Sequence, residues 1–260
     1  MQEVRTMDSQ SRIMTAIPTA RSQVVIGSAI WDRPSILSYL ADRFGIDVSA
    51  KSPIEVPNIG REGFAEMLAA WGCRVGCEVG VERGEYLATL AGVLLPGGVL
   101  YGVDAWKSHV GYRDHVVQQK LDRFYAETCA RFERYPNVHL IRKFSVDAAK
   151  DIPDSSLDFV YIDANHALPF VIADLHAWSP KVRAGGIISG HDFIHHRWPN
   201  LMHVTQAIHA WTDAYDIKPW FVLGRKEKVP GEIRDDGRSW FWIHEPRPAW
   251  RKGMGKPIKQ

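Results

Sequence analysis

The sequence predicts an α/β protein: a doubly wound, mostly parallel seven-stranded sheet with an antiparallel edge strand pair at its C-terminal end. Three observations lead there. From Arg74 onward, short apolar runs alternate with helical stretches, the rhythm of strand–helix–strand units with right-handed crossovers. The first run leads into a glycine turn, Gly80-x-x-x-Gly84, that opens a helix. After Tyr215 the alternation stops. Two aromatic strands follow, joined by the polar stretch Gly224–Ser239, and they read as a hairpin-like pair.

Residues 1–60 read as an N-terminal extension, broken by Pro18, Pro34, Pro53 and Pro57. One helix fits there, Pro34–Phe44, because proline lacks only an N–H that the first helical turn does not use. Ser49–Gly60 reads as a linker, and the extension is expected to act as a lid or a dimer contact. The main domain is expected at 61–246. It opens with a helix, since Phe64, Met67, Leu68 and Trp71 recur at helical spacing. Strands follow at Val75–Val79, Val99–Val103, Val138–Ile141, Leu157–Ile162, Gly186–Ser189, Trp220–Leu223 and Trp240–His244. Between them fall helices at Tyr86–Leu94, Arg113–Tyr135, Val146–Lys150, Pro169–Trp178 and His203–Tyr215. Strand alternation puts Trp240 and Trp242 on one face, where they read as core. The end, 247–260, is a basic tail with Arg247, Arg251, Lys252, Lys256 and Lys259, read as a solvated terminus.

Composition narrows the function classes. With 260 residues, 45% of them hydrophobic, the chain can bury a sizeable core. A net charge of +2 demands neither nucleic acid nor an anionic membrane as partner, so no nucleic acid is expected. The uncharged run Tyr86–Val103 is split by Pro96-Gly97-Gly98, so no membrane span is expected. Glu3 and Asp8 interrupt any apolar leader, and the three cysteines make no disulfide framework. Cys73 and Cys77 lack the second pair a structural zinc site needs, which leaves Cys73, Cys77 and Cys129 as reduced thiols in a cytoplasmic protein.

The glycine turn places a ligand at the carboxyl edge of the first main strand, where open α/β sheets bind ligands. Gly80 permits the tight turn and Gly84 a close backbone approach to the ligand. The spacing departs from the dinucleotide fingerprint G-x-G-x-x-G. Glu78, just before the first glycine, would repel a pyrophosphate and suit a cation. Asp104, about 24 residues after Gly80, stands at the next strand end, where a ribose-binding carboxylate is expected. Two further segments carry chemistry. One strand ends in Asp163 with His166 three residues on; another ends in His191-Asp192. Adjacent parallel strands would bring Asp163, His191 and Asp192 to one crevice, a donor set for Mg2+, Mn2+ or Zn2+.

At Glu78–Gly84, Leu100–Trp106 and Leu157–Phe193 the sequence resembles the class I S-adenosylmethionine-dependent methyltransferases, over residues 61–245. The resemblance implies a Rossmann-like fold and S-adenosyl-L-methionine as cofactor. By position it implies Glu78 and Gly80 at the methionyl part, Asp104 and Ala105 at the ribose, and Ser145 beside the adenine, with Asp163 near the cofactor's amino group. The end of the segment is similar to the metal-dependent O-methyltransferases of catechols, sugars and macrolides. This implies Asp163, His191 and Asp192 as metal ligands and His166, with Asp163, as the catalytic pair. His191-Asp192 stands where catechol enzymes have Asp-Asn, and His166 where they have a lysine. The Asp/Asn-Pro-Pro-aromatic motif of base N-methylating enzymes is replaced by Asp163-Ala-Asn-His166, which favours a small-molecule hydroxyl acceptor. A homodimer follows from the resemblance as well. Two other readings share the fold: a nicotinamide-dependent oxidoreductase and a non-catalytic nucleotide-binding protein.

Overall fold

The structure, a computed structural model, describes residues 31–94, 97–108, 117–194 and 202–245. The first helix, α1 (Arg33–Phe44), starts where expected: the Asp32 carboxylate accepts from the Ser35 N–H at 3.0 Å, and Pro34 sits in the first turn. Gly45, at φ +62°, ends it in the left-handed conformation. The expected linker Ser49–Gly60 holds a strand instead, β1 (Ile54–Val56), which buries Ile54 and Val56. Then follow α2 (Arg61–Ala70), β2 (Val75–Val79), α3 (Glu85–Leu94), β3 (Val99–Asp104) and α4 (Gln118–Phe132). The second half holds β4 (Val138–Arg142), α5 (Ser145–Ala149), β5 (Leu157–Ile162), α6 (Leu168–Trp178), β6 (Val182–Gly190), α7 (Val204–Ala214), β7 (Trp220–Leu223) and β8 (Trp240–Ile243).

These strands form one eight-stranded sheet in the order β1-β7-β8-β6-β5-β2-β3-β4. The strand count therefore exceeds the expected seven by β1, which pairs parallel to β7, Ile54 opposite Phe221. The antiparallel C-terminal pair is present, but it is not the edge. β8 runs antiparallel to both β6 and β7, and β1 covers the outer side of β7. Burying both aromatic strands is the physical reason: Phe221 and Phe241 stack at 4.9 Å on one face, Trp240 and Trp242 at 5.2 Å on the other.

Each central strand is buried on both sides, as parallel strands under two helical layers must be. Along β5, Phe159 and Tyr161 join the core beneath α1–α4, while Val160 and Ile162 join the core beneath α5–α7. Ile36, Leu40, Ile54 and Val56 belong to the first of these cores. Residues 31–60 thus build the domain body, and none of them lines the crevice described next. The basic tail 247–260, Trp198, His195, His196 and the first thirty residues lie outside the described residues. Among the described residues no helix is long and apolar enough to cross a membrane.

The chain reverses direction across the sheet between β2 and β5. From β2 it winds outward to β3 and β4, then crosses back to β5 and β6. Such a reversal leaves a crevice outside the carboxyl ends of the two strands.

Candidate active site

That crevice is a cavity of about 490 Å³, lined from the ends of β2, β3 and β5 and from α2, α5 and α6. Gly80, at φ +97°, turns the chain beneath the end of β5. A Cβ there would lie 2.0 Å from the Asp163 carbonyl oxygen, so no larger residue passes. Its N–H donates to the Val103 carbonyl at 2.8 Å, tying the turn to β3. Gly84 has a different job from the one expected. At φ +72° its bare face meets the Phe132 ring of α4, 2.8 Å from where a Cβ would sit, and it does not line the cavity. The tight fit is to a helix, not to a ligand.

Glu78 is 2% exposed, and its Oε2 has no hydrogen-bond partner. Burial, then the neighbouring Asp163, pushes its carboxyl well above the usual carboxylate range, while Arg61 pulls it down. A buried acceptor left open at a cavity wall is a place for a donor, preferably a cationic one. Asp104 ends β3. Its two oxygens accept from the backbone N–H groups of Glu82 (2.9 Å) and Trp106 (2.8 Å). Glu82 and Trp106 are held at φ +50° and +40°, and the Trp106 indole N–H donates to the Glu82 carbonyl at 2.7 Å. Asp104 is thus a rigid clamp with lone pairs left for hydroxyls, and burial raises its carboxyl despite these bonds. Ala105 lines the cavity beside it. Ser145 is at the far end, on the first turn of α5. Its hydroxyl donates to Asp174 and accepts from the Trp178 indole N–H at 2.9 Å, so it braces the wall.

The acidic and histidine residues converge as expected. Asp163 follows β5, His191 and Asp192 follow β6, and one ligand atom from each lies within 4.8 Å of the others. His166 lies between the acids, its Nε2 2.9 Å from Asp192 Oδ2 and 3.5 Å from Asp163 Oδ1. With the ring protonated, both contacts are ion pairs. Burial pulls the imidazole down, but the two carboxylates outweigh it and raise it to about 9. Burial also opposes ionised Asp192, yet the two histidines hold its carboxyl well below its usual range. Asp192, at φ +57°, turns its side chain to the histidines. Nε2 of His191 is buried with no partner.

Arg61 and Asp174, both at the cavity wall, escaped sequence reasoning. Arg61 opens α2, and only the docking of that helix onto the sheet brings it to the crevice. Asp174 lies on the buried face of α6, where a lone acid among apolar residues was the available signal.

A crevice at the reversal point, a glycine turn and an acid at the second strand end are features of a Rossmann-like fold. Residues 77–193 match the family model described as a methyltransferase domain. The chain is 16% identical to the O-methyltransferase of Bacillus cereus, solved with S-adenosylhomocysteine, covering 81% of this chain and 91% of that one at a TM-score of 0.50. It is 14% identical to the O-methyltransferase TomG of Streptomyces achromogenes, involved in tomaymycin synthesis and solved with S-adenosylmethionine (81% and 89% covered, TM-score 0.50). A protein of Clostridium thermocellum described as an rRNA methylase shares the fold at 13% identity (70% and 96% covered, TM-score 0.50). Over 94 residues the chain is 30% identical to the uncharacterised protein y4gI of Sinorhizobium fredii, 35% of this chain and 10% of that one. The chain thus spans about a tenth of the length of this curated relative. Residues 77–193 thus match a methyltransferase domain model, and the chain shares the Rossmann-like fold of these solved methyltransferases.

Proposed function

We propose that this chain transfers the methyl group of S-adenosylmethionine to a hydroxyl of a small molecule. The observation that carries the reading is one continuous cavity. Its wall carries Glu78, whose Oε2 is unpartnered, and the Asp104 clamp together with the Asp163–His166 pair. The first two suit a nucleoside with a cationic tail, the pair a hydroxyl that must lose a proton.

In the step itself, the acceptor oxygen attacks the sulfonium methyl in line. The O–C bond forms, the C–S bond breaks, and the sulfonium becomes a neutral thioether. The hydroxyl proton passes to Nε2 of His166, whose charge Asp163 and Asp192 then balance. The protein's other contribution is placement: Asp104 and Glu78 hold the donor while the carboxylates orient the acceptor.

The set Asp163, His191 and Asp192 fits a divalent cation by its donor types, with Nδ1 of His191 3.8 Å from Asp163 and 3.6 Å from Asp192. A nitrogen beside two carboxylates suits Mn2+ or Zn2+ better than Mg2+, which prefers oxygen and water. Such an ion would lower the pKa of a hydroxyl bound to it. The free thiols Cys73, Cys77 and Cys129 fit a reducing, cytoplasmic setting.

Calorimetric titration with S-adenosylmethionine and S-adenosylhomocysteine tests the donor half. Micromolar binding of both supports it; folded protein that binds neither ends it. Transfer of labelled methyl groups to small hydroxyl compounds, with RNA run in parallel, tests the acceptor half. Label on RNA alone would replace the small-molecule acceptor.

A further inference from the structure

The connection between β7 and β8, Gly224–Ser239, is long for two neighbouring antiparallel strands. Its residues make contacts with two other parts of the fold. On the outer part, Glu55 Oε1 accepts from the Lys226 N–H at 2.7 Å, and Asn58 Oδ1 from the Ile233 N–H at 2.8 Å. Asp235 accepts the Arg61 N–H at 2.6 Å, at the start of α2. The returning part lies on the turn that follows β6. The Arg238 carbonyl accepts the Phe193 N–H at 2.8 Å. The Arg238 guanidinium lies over the Phe193 ring, 5.7 Å from its centre, and donates to Glu55 Oε1 at 2.8 Å.

Gly237 stands between these anchors, with Asp235 held on one side and Arg238 on the other. Its φ is not in the left-handed region, so backbone conformation does not require glycine there. Space does. A Cβ at this position would overlap Asp192 Oδ1 and would lie 2.7 Å from Cε1 and 3.2 Å from Nδ1 of His191. Gly237 itself is no part of the crevice wall. The far sides of the two residues are fixed as well. The His191 N–H donates to the Ile162 carbonyl at 3.1 Å, and the His191 carbonyl accepts from the Trp240 indole N–H at 3.0 Å, so the ring cannot retreat with its backbone. Asp192 Oδ2 stands 2.9 Å from His166 Nε2. With Oδ1 against Gly237, the other oxygen is the one turned to the base.

We propose that Gly237 is a positioning residue of the acceptor side: its missing side chain is the slot that holds Asp192 and His191, and through it the β7–β8 connection sets how both present their ligand atoms beside Asp163. The proposal deepens, and rests on, the reading of this cluster as the part that activates the acceptor hydroxyl. A methyl group at 237 adds no backbone strain. It must instead turn the Asp192 carboxylate or the His191 ring, and both are side-chain ends that can rotate. The fold should therefore survive the substitution while the arrangement of the cluster does not.

The test uses the full chain, with Mn2+ and S-adenosylhomocysteine as calorimetric probes. Gly237→Ala is expected to weaken Mn2+ binding by about 10–100-fold, the range for losing the support of a metal ligand. S-adenosylhomocysteine should stay within about 2-fold, because Gly237 does not line the crevice. Gly231→Ala is the control. Gly231 belongs to the same connection, has φ +85° and has open space around its missing Cβ. Alanine there strains the connection without touching the cluster, so Mn2+ affinity should hold within about 2-fold. A cycle of thermal midpoints gives a reading that needs no metal. The fall caused by Gly237→Ala should shrink by about half or more when Asp192 is already alanine, since the crowded oxygen is gone. Should Gly237→Ala not fold, recovery of folding in the double variant supports the contact and continued failure overturns it. Mn2+ binding untouched by Gly237→Ala, Mn2+ binding lost to the same degree in Gly231→Ala, or midpoint falls that simply add, overturns the assignment. If wild type binds no Mn2+, the cation reading fails and the midpoint cycle alone decides for Gly237. If wild type binds no S-adenosylhomocysteine, the donor reading fails, and Mn2+ and the midpoints still decide.

Discussion

His166 stands between two carboxylates, and that decides when it can accept a proton. Its pKa is raised from 6.5 to about 9, so at neutral pH it is an imidazolium. A base must be unprotonated, and kcat/KM of the metal-free protein is therefore expected to climb with pH up to about 9. His166→Ala should lower it by about 100-fold or more and flatten the profile. A pH–rate profile in EDTA checks both; a wild-type profile already level at pH 7 would remove His166 as base. Asp174 titrates in the opposite functional setting. Burial raises it from 3.8 to about 7, although the Ser145 bond favours its charge. The folded state thus holds a proton that the unfolded chain gives up near 3.8, and this group's contribution to stability is lost as pH rises from there through about 7. Asp174→Asn carries no such loss. Its thermal midpoint relative to wild type is expected to rise between pH 5 and pH 8.5, as read by calorimetry, and a constant difference would contradict the raised value.

At the scale of the element, the two glycines of one turn predict different failures. Gly80→Ala pushes a methyl into the backbone after β5, where the nearest atom is the Asp163 carbonyl. It should abolish cofactor binding along with much of the stability. Gly84→Ala meets the edge of a ring, Phe132, which can shift. The cost is expected to be about 1–3 kcal/mol, from the strained φ and that contact, with cofactor affinity within about 3-fold once folded. Urea unfolding and calorimetry separate the two effects. The elements themselves were legible wherever burial left a pattern. β2, β3, β4, β5 and β7 lie within a residue of their expected bounds, because apolar runs closed by glycine, proline or acid mark buried strands. β1 was not legible. It is three residues long, flanked by Pro53 and Pro57, and its partner β7 lies far along the chain. The start of β6 was missed for a related reason: Arg183 and the Gly185-Gly186 pair interrupt its apolar pattern, though its ladder extends back to Val182.

Across the whole molecule, the residues legible in the sequence are those that parallel strands deliver to one edge: Glu78, Asp104, Asp163, His191 and Asp192. Strand direction alone predicts their convergence. Arg61 and Asp174 arrive on helices, and which helical residues reach the crevice depends on docking that no local pattern encodes. The same whole-molecule view decides how a cation would behave. In the structure the charge of Asp163 and Asp192 is balanced by His166, so a divalent ion must compete with an imidazolium for the same two carboxylates. Binding should then expel a proton from His166, and affinity should rise with pH toward about 9. Calorimetry of Mn2+ in two buffers of different ionisation heat counts the released proton directly. His166 freed of that proton becomes a competent base near neutrality, so removal of metal by EDTA is expected to shift the rising limb of the pH–rate profile upward rather than merely scale it down. Mn2+ or Zn2+ should restore the original profile better than Mg2+, given a nitrogen in the donor set. Unchanged activity and an unchanged profile after EDTA, together with no heat from any of the three ions, would leave His166 as the only positive charge the acidic pair requires.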